Sequence, residues 1–410
     1  MTAVYRNATI YKDGILSVRN VTVREGHLVF IDKLGPEEEA TDHCLILPGL
    51  ADVHVHLREP GFSYKETIFT GSRAAARGGY GDVCTMPNLQ PVPDSVEHIK
   101  EQLHLIERDS AIGVHPFAAI TIGEEGRQIA PLEELAPYCI GFSDDGKGVQ
   151  DAGIMREAMQ RAKQLNKIIS AHCEDNTLLH GGYIHDGSYA AAHAHKGICS
   201  ASEWKPIERD IALAAQTGCA YHVCHISCAQ SVELIRQAKK SGVNITCETA
   251  PHYLCLDETH LQEDGRFKMN PPLRTPADRE ALLEGLADGT IDMIATDHAP
   301  HAAEEKAKGL RGSAMGVSGI EIAFPVLYTN LVRRGILPLE KLIALLSDKP
   351  RERFAIKQTN AFCAFDLEQC YTICGAEFLS KGKSTPFDGM RVYGKNKLTV
   401  YGGKTVWNET

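Results

Sequence analysis

Apolar and polar positions follow two rhythms along the chain. Up to about residue 47, short apolar segments at 8–11, 16–23, 28–31 and 44–47 are separated by turn signals at Asp13-Gly14 and Glu25-Gly26, which predicts a small sheet. From Pro48 onward, short apolar runs alternate with amphipathic stretches, the pattern of parallel strands joined by crossover helices. Strands are expected at 51–56, 82–86, 114–121, 139–142, 168–172, 221–225, 244–248 and 292–296, with helical periodicity at 154–165, 208–217, 230–241 and 278–286. Eight such strands close a barrel. After Pro338 a helix at 339–346 leads through Pro350 into short strands ending near Val406, with 360–372 reading as a short, irregular entry. The expected fold is α/β: a (β/α)8 TIM-like barrel over 48–348, with a small β-sandwich domain built from both chain ends, 1–47 and 349–410.

Composition narrows the class. A chain of 410 residues that is 43% hydrophobic and 23% charged can bury a large core. Its formal charge of -10 repels phosphate at long range, so neither nucleic acid nor an anionic membrane is an expected partner. A small anionic substrate then needs a local cation. The thirteen cysteines are scattered without the spacing of a secreted scaffold, and neither Cys224/Cys228 nor Cys370/Cys374 is followed by a matching second pair. Reduced thiols in a cytoplasm are the expectation. The N-terminus has no basic-flanked apolar core, and no apolar window reaches the length of a membrane span.

The sharpest chemical signal is Asp52-Val53-His54-Val55-His56-Leu57-Arg58. On a strand alternate side chains share a face, so His54 and His56 are expected to point into the barrel and Val53, Val55 and Leu57 outward against helices. Two imidazoles at a strand's end chelate a borderline metal such as zinc, although an isolated pair is more often two hydrogen-bonded core histidines. Recurrence decides between them. Strand four ends in Ser143-Asp144-Asp145-Gly146, strand five in His172-Cys173-Glu174, strand six in His222-Val223-Cys224-His225 and strand eight in Thr296-Asp297-His298. A barrel places its active site at this edge. Parity favours His225 over His222 as the inward histidine, with Val223 sharing its face, and makes Asp297 the inward carboxylate; His298 is expected to face away or hold a loop. Four histidines and two aspartates exceed what one tetrahedral zinc accepts, whereas two metals about 3.5–4 Å apart use them all.

With these segments, the chain resembles the amidohydrolase superfamily and, within it, the longer, bacterial type of dihydroorotase. Beside the strand ends above, the matching stretches are Pro48-Gly-Leu-Ala-Asp through Arg58-Glu-Pro-Gly61, Met86-Pro-Asn88, Lys268-Met-Asn-Pro-Pro-Leu-Arg274 and Ala295-Thr-Asp-His-Ala-Pro-His301. The resemblance implies that His54, His56 and Asp297 hold one Zn2+, that His172 and His225 hold a second, and that Asp145 bridges them. Many superfamily members place a carboxylated lysine on strand four; Lys147 lies close by, but the Asp-Asp-Gly string matches the carboxylate-bridged type. Arg58 continues the histidine face and can pair bidentately with a carboxylate. The resemblance adds Asn88 and His301 as partners of that carboxylate, His56 as a neighbour of the substrate, and Asn270 with the Met315-Gly316 backbone as contacts to ring amides.

The implied activity is the reversible, zinc-dependent interconversion of N-carbamoyl-L-aspartate and (S)-dihydroorotate in de novo pyrimidine (UMP) biosynthesis, with Asp297 moving the proton. Expected partners are the small-molecule substrate, a second copy of the chain as a homodimer, and aspartate carbamoyltransferase. Rival readings are a hydantoinase, dihydropyrimidinase or allantoinase, and an inactive barrel that scaffolds a pathway partner. Against the first, a buried Arg58 opposite a neutral ring is costly; against the second, all six ligands are retained. The Gly-rich stretch 309–319 reads either as a lid over substrate or as a plain solvent loop.

Overall fold

A computed structural model describes residues 3–32 and 41–409. Residues 1, 2 and 33–40 of the expected N-terminal half lie outside the described residues. Five strands come first: β1 (Ala3–Lys12), β2 (Ile15–Arg24), β3 (His27–Ile31), β4 (Thr41–Asp42) and β5 (Cys44–Pro48). The barrel follows as β6 (Leu50–Val55), β7 (Tyr80–Thr85), β8 (Gly113–Pro116), β9 (Ala118–Ala119), β10 (Gly141–Ser143) and β11 (Ile168–Ala171). An excursion after β11 carries a short pair, β12 (Ile184–His185) and β13 (Gly197–Ile198), before the barrel resumes with β14 (Ala220–Val223), β15 (Ile245–Thr249) and β16 (Met293–Ile294). The chain ends in β17 (Phe362–Thr372), β18 (Arg391–Tyr401) and β19 (Lys404–Asn408).

All barrel pairings are parallel: β6-β7-β8 form one ladder and β9-β10-β11-β14-β15-β16 the other. The expected third strand, 114–121, is thus one strand interrupted at Phe117. Closure between first and last strands rests on few contacts: a parallel bridge Val55↔His298, the bond from His56 N–H to His298 O at 2.9 Å, and the carboxylate of Asp52. That carboxylate accepts from Thr296 N–H at 3.1 Å, Thr296 Oγ1 at 2.6 Å and His54 N–H at 3.0 Å. Helices fill the crossovers where the periodicity places them, for example Ala152–Gln164, N-capped by Asp151, and Pro276–Asp288, with Thr275 and Asp278 in a capping box.

One apolar cluster draws Val53, Cys84, Met86, Phe117, Ile168, Cys224, Met293 and Ala295 from strands around the ring and closes with Phe354 and Ile356; it fills the barrel interior. This corrects the outward placement of Val53. The register slips between Asp52 and Val55 in the β6–β7 pairing, so strict alternation fails there. Val55 and Leu57 do join the outer core, with Leu57 against Gly71 of the helix Ile68–Arg77. The helix Lys349–Phe354, assigned by the expected division to the small domain, sends Phe354 into the barrel.

The two chain ends meet in one hydrogen-bonded sheet of order β19-β18-β17-β5-β1-β2-β3. Alternation along β5 and β17 explains its place. Leu45, Leu47, Cys363 and Phe365 pack into the barrel's outer core, while Cys44, Ile46, Phe362 and Ala364 build the sheet's own cluster. The segment read as irregular at 360–372 is a long strand whose register slips after Ala364 and after Asp366, which breaks the period the eye looks for.

Candidate metal centre and anion pocket

The strand ends of β6, β10, β11, β14 and β16 bring His54, His56, Asp145, His172, His225 and Asp297 together, all buried. Asp145 is central. Its Oδ1 lies 3.3 Å from His54 Nε2, 3.8 Å from His172 Nδ1 and 3.7 Å from His225 Nε2, and its Oδ2 lies 3.5 Å from His56 Nε2. Asp297 Oδ1 lies 3.2 Å from His56 Nε2 and 3.7 Å from His54 Nε2. His172 Nδ1 and His225 Nε2 face each other at 3.0 Å. Among the described residues three groups of metal-type donors follow: His54-His56-Asp145 and Asp145-His172-His225, with Asp145 in both, and His54-Cys224-Glu248 behind them.

Three of the residues reach the site through unusual backbone. His225, Asp297 and Arg58 have φ of 34°, 46° and 62°, the left-handed region that costs an L-residue about 1–3 kcal/mol unless its surroundings hold it there. For His225 this replaces the parity argument: Val223 belongs to the outer core and Cys224 to the interior, so the imidazole turns inward by a backbone twist beyond the strand. His222 stays interior below it, bonded to Thr246 Oγ1 at 2.8 Å and Glu248 Oε2 at 3.0 Å. His298 accepts Gly319 N–H on Nδ1 at 3.2 Å, with Nε2 3.6 Å from Glu66. Lys147 is directed elsewhere, donating to Gly123 O at 3.1 Å.

Sequence reasoning assigned no role to Glu248, which fixes the chemistry of His54. A carboxylate only accepts, so the 2.8 Å contact puts the His54 proton on Nδ1 and leaves the Nε2 lone pair facing Asp145 Oδ1. Both facing atoms are buried with no hydrogen-bond partner. Two lone pairs opposed at 3.3 Å repel, and a cation between them removes the repulsion. A proton on Nε2 would answer the same repulsion: against burial, which lowers it, Asp145 and Cys224 push the His54 pKa well above the ordinary value, so this atom takes up a cation or a proton. Burial would likewise raise the Asp297 carboxyl, but the bond from His56 and the charges of His54 and His225 hold it well below the carboxylate range. The donor set fits divalent metal. His54 could have revealed Glu248 in advance, since a metal-ligating imidazole needs an acceptor for its second nitrogen and Glu248 ends a strand.

Arg58, Asn88, Asn270, His301, Met315 and Gly316 line the same cavity, about 200 Å³, as His56, Asp145, His172, His225 and Asp297. Arg58 is 8% exposed; its guanidinium donates to Pro300 O at 3.2 Å and lies 3.5 Å from His301 Nε2. Burial lowers it to about 10, so it stays charged at neutral pH. Asn88 is committed partly to the metal cluster: Oδ1 accepts from His56 Nδ1 at 2.9 Å and Nδ2 donates to Asp145 at 3.4 Å. Asn270 donates from Nδ2 to Glu174 Oε1 at 2.8 Å, which leaves Oδ1 as the atom it offers elsewhere. His301 donates from Nε2 to Met315 O at 2.7 Å. Burial, Arg58 and Lys65 lower it to about 3, so it is neutral. The stretch 309–319 is anchored rather than a plain solvent loop: Ala314 N–H reaches Glu305 O and Gly316 N–H reaches Lys268 O.

A dihydro-orotase-like family model matches residues 43–231. Curated relatives named dihydroorotase include that of Bacillus cytotoxicus, 46% identical over 423 residues covering 100% of this chain and 99% of the relative. Another, from Bacillus anthracis, is 49% identical over 374 residues, covering 89% and 87%. Among solved structures, the L-hydantoinase (dihydropyrimidinase) from Arthrobacter aurescens superposes with a TM-score of 0.84 at 24% identity, covering 100% of this chain and 96% of its own. The dihydropyrimidinase from Brevibacillus agri gives 0.83 at 23%, covering 100% and 95%. At such identities these structures speak for the barrel fold, whereas the curated relatives speak for lineage. With 46% identity sustained from end to end, the chain belongs to the dihydroorotase family.

Proposed function

We propose that this protein closes and opens a cyclic amide, interconverting N-carbamoyl-L-aspartate and (S)-dihydroorotate in de novo pyrimidine biosynthesis, with two zinc ions. The observation that carries this reading is Arg58, a buried cation that donates to a backbone carbonyl and lies beside the His301 imidazole, in the cavity that the acids and imidazoles share. A guanidinium so placed has its carboxylate still to come.

The zinc ligands in this reading are His54, His56 and Asp297 for one ion and His172 and His225 for the other, with Asp145 common to both. When bound, the metal pair supplies Lewis acidity, which acidifies water and polarises a carbonyl oxygen. Arg58 holds the substrate carboxylate, with Asn88 and His301 beside it. Asn270 Oδ1 accepts an N–H of the ureide, an orientation that Glu174 enforces. In ring opening, a C–O bond to water forms at the ring carbonyl and the C–N bond breaks; Asp297 takes the water's proton and delivers it to the departing nitrogen. Ring closure reverses this, forming C–N, releasing water and consuming one proton.

The free thiols of all thirteen cysteines fit a reducing cytoplasm, and no helix among the described residues is long and apolar enough to cross a membrane. The same reading expects a homodimer, tested by light scattering, and association with aspartate carbamoyltransferase, tested by co-purification.

The deciding experiment is a substrate panel with metal analysis. Turnover of N-carbamoyl-L-aspartate, lost on chelation and restored by zinc at about two ions per chain, supports the proposal. Turnover of hydantoin or dihydrouracil in its place, or activity unaffected by complete metal removal, refutes it.

A further inference from the structure

Lys306 ends the short helix Ala303–Lys306 and is 7% exposed. Its ammonium spends all three N–H groups on neutral backbone carbonyls: Gly316 O at 2.7 Å, Ala314 O at 2.8 Å and Lys268 O at 3.0 Å. Burying a cation among neutral partners is expensive, and packing alone does not call for a charge there. What distinguishes these carbonyls is their location. Ala314 and Gly316 flank Met315, whose own carbonyl accepts from His301, and Lys268 lies two residues before Asn270. Met315, Gly316, His301 and Asn270 all line the cavity that holds Arg58.

We propose that Lys306 is a positioning residue for the substrate: its ammonium clamps the backbone flanking Met315 to the carbonyl of Lys268 and so fixes the wall that faces the substrate anion. The inference rests on the function proposed above and names a part of the same site that acts through others. Gly316 N–H also bonds Lys268 O, so one carbonyl gathers both the ammonium and the loop. Carbonyl and N–H of a trans peptide point in opposite directions. Drawing Ala314 O to Lys306 therefore turns the Met315 N–H away from Lys306. Gly316 sits at φ +132° with a Cβ's place only 2.7 Å from Ala299, so this backbone has little room to settle elsewhere once clamped. Loss of the clamp lets the Met315 carbonyl drift and His301 turn with it, while the acids and imidazoles of the metal cluster are untouched.

The test uses the metal-loaded enzyme with Lys306→Met and Lys306→Gln. KM for N-carbamoyl-L-aspartate is expected to rise about tenfold or more, with kcat within about threefold of the parent and metal content unchanged. Hydrogen exchange over residues 313–317 should quicken in both variants. A purely structural role predicts a lowered Tm and a reduced active fraction at the parental KM, and that outcome overturns the proposal. Should neither variant fold, exchange in the parent enzyme decides: protection of 313–317 comparable to the barrel strands supports the clamp, and rapid exchange overturns it. If the parent fails to turn over N-carbamoyl-L-aspartate, the functional reading falls, while the exchange comparison still tests the clamp separately.

Discussion

In the proposed reaction Arg58 and Asp297 divide the work at the residue scale, one holding charge and the other moving a proton. Replacing Arg58 by Met should raise KM for N-carbamoyl-L-aspartate about 10- to 100-fold, the equivalent of one charge-assisted hydrogen-bond pair. Steady-state kinetics checks this, with kcat falling less than KM rises. Asp297→Asn should lose about 10²–10⁴ in kcat, checked with metal content measured in parallel; full turnover with metal bound contradicts its role. Acid sensitivity follows from buried neutral imidazoles. Burial lowers His252 to about 4, and burial with Arg58 and Lys65 lowers His301 to about 3, against about 6.5 in the unfolded chain. Below about pH 6.5 the unfolded chain therefore binds more protons than the folded one, so the stability these groups contribute is present above that pH and lost as pH falls toward 4 and then 3. Tm should drop over that window, and His252→Gln should flatten the slope. The convergence of these side chains was legible because acids and imidazoles rarely gather at strand ends for packing alone. The residues behind them, Asp52 and Glu248, were not: each works through a partner distant in sequence, Thr296 for the first and His54 for the second.

At the scale of elements, the site depends on where strands end rather than on the strands themselves. Alternation predicted His54 and His56 correctly as neighbours but misplaced Val53, because the β6 register slips. It also selected His225 for a reason the backbone does not follow, since the inward turn is a left-handed residue that no period encodes. Helices were easier to read, as at Ala152–Gln164 and Pro276–Asp288, because caps and a 3.6-residue period mark them independently of tertiary context. The barrel floor shows the reverse. Phe354 packs edge-on to Phe117 at 6.0 Å and to His222 at 5.1 Å, a role invisible in a segment that reads as the start of another domain. Phe354→Ala should destabilise by about 3–5 kcal/mol, read by chemical denaturation, with KM close to the parental value because the buried acids and imidazoles sit at the other end of the strands.

For the whole molecule, a formal charge of -10 and an anionic substrate are reconciled locally. Arg58, Lys65 and Lys306 gather around His301, and burial together with their positive charge keeps that imidazole neutral. The overall reaction consumes one proton on closing the ring, so above the carboxyl pKa the ratio of (S)-dihydroorotate to N-carbamoyl-L-aspartate should fall about tenfold per pH unit, as chromatography of equilibrated mixtures would show. Barrel and end domain were both legible as patterns, since alternating apolar runs and turn signals are local. Their junction was not, because Leu45, Leu47, Cys363 and Phe365 serve the barrel from strands of the other sheet. The central claim is that buried acids and imidazoles from separate strands hold a metal pair beside an arginine that receives a carboxylate. Anomalous diffraction from zinc-loaded crystals with dihydroorotate bound tests it in one measurement. The account predicts two peaks, one among His54, His56, Asp145 and Asp297 and one among Asp145, His172 and His225, with the ligand's carboxylate on Arg58. A single peak, or a carboxylate directed away from Arg58, would contradict it.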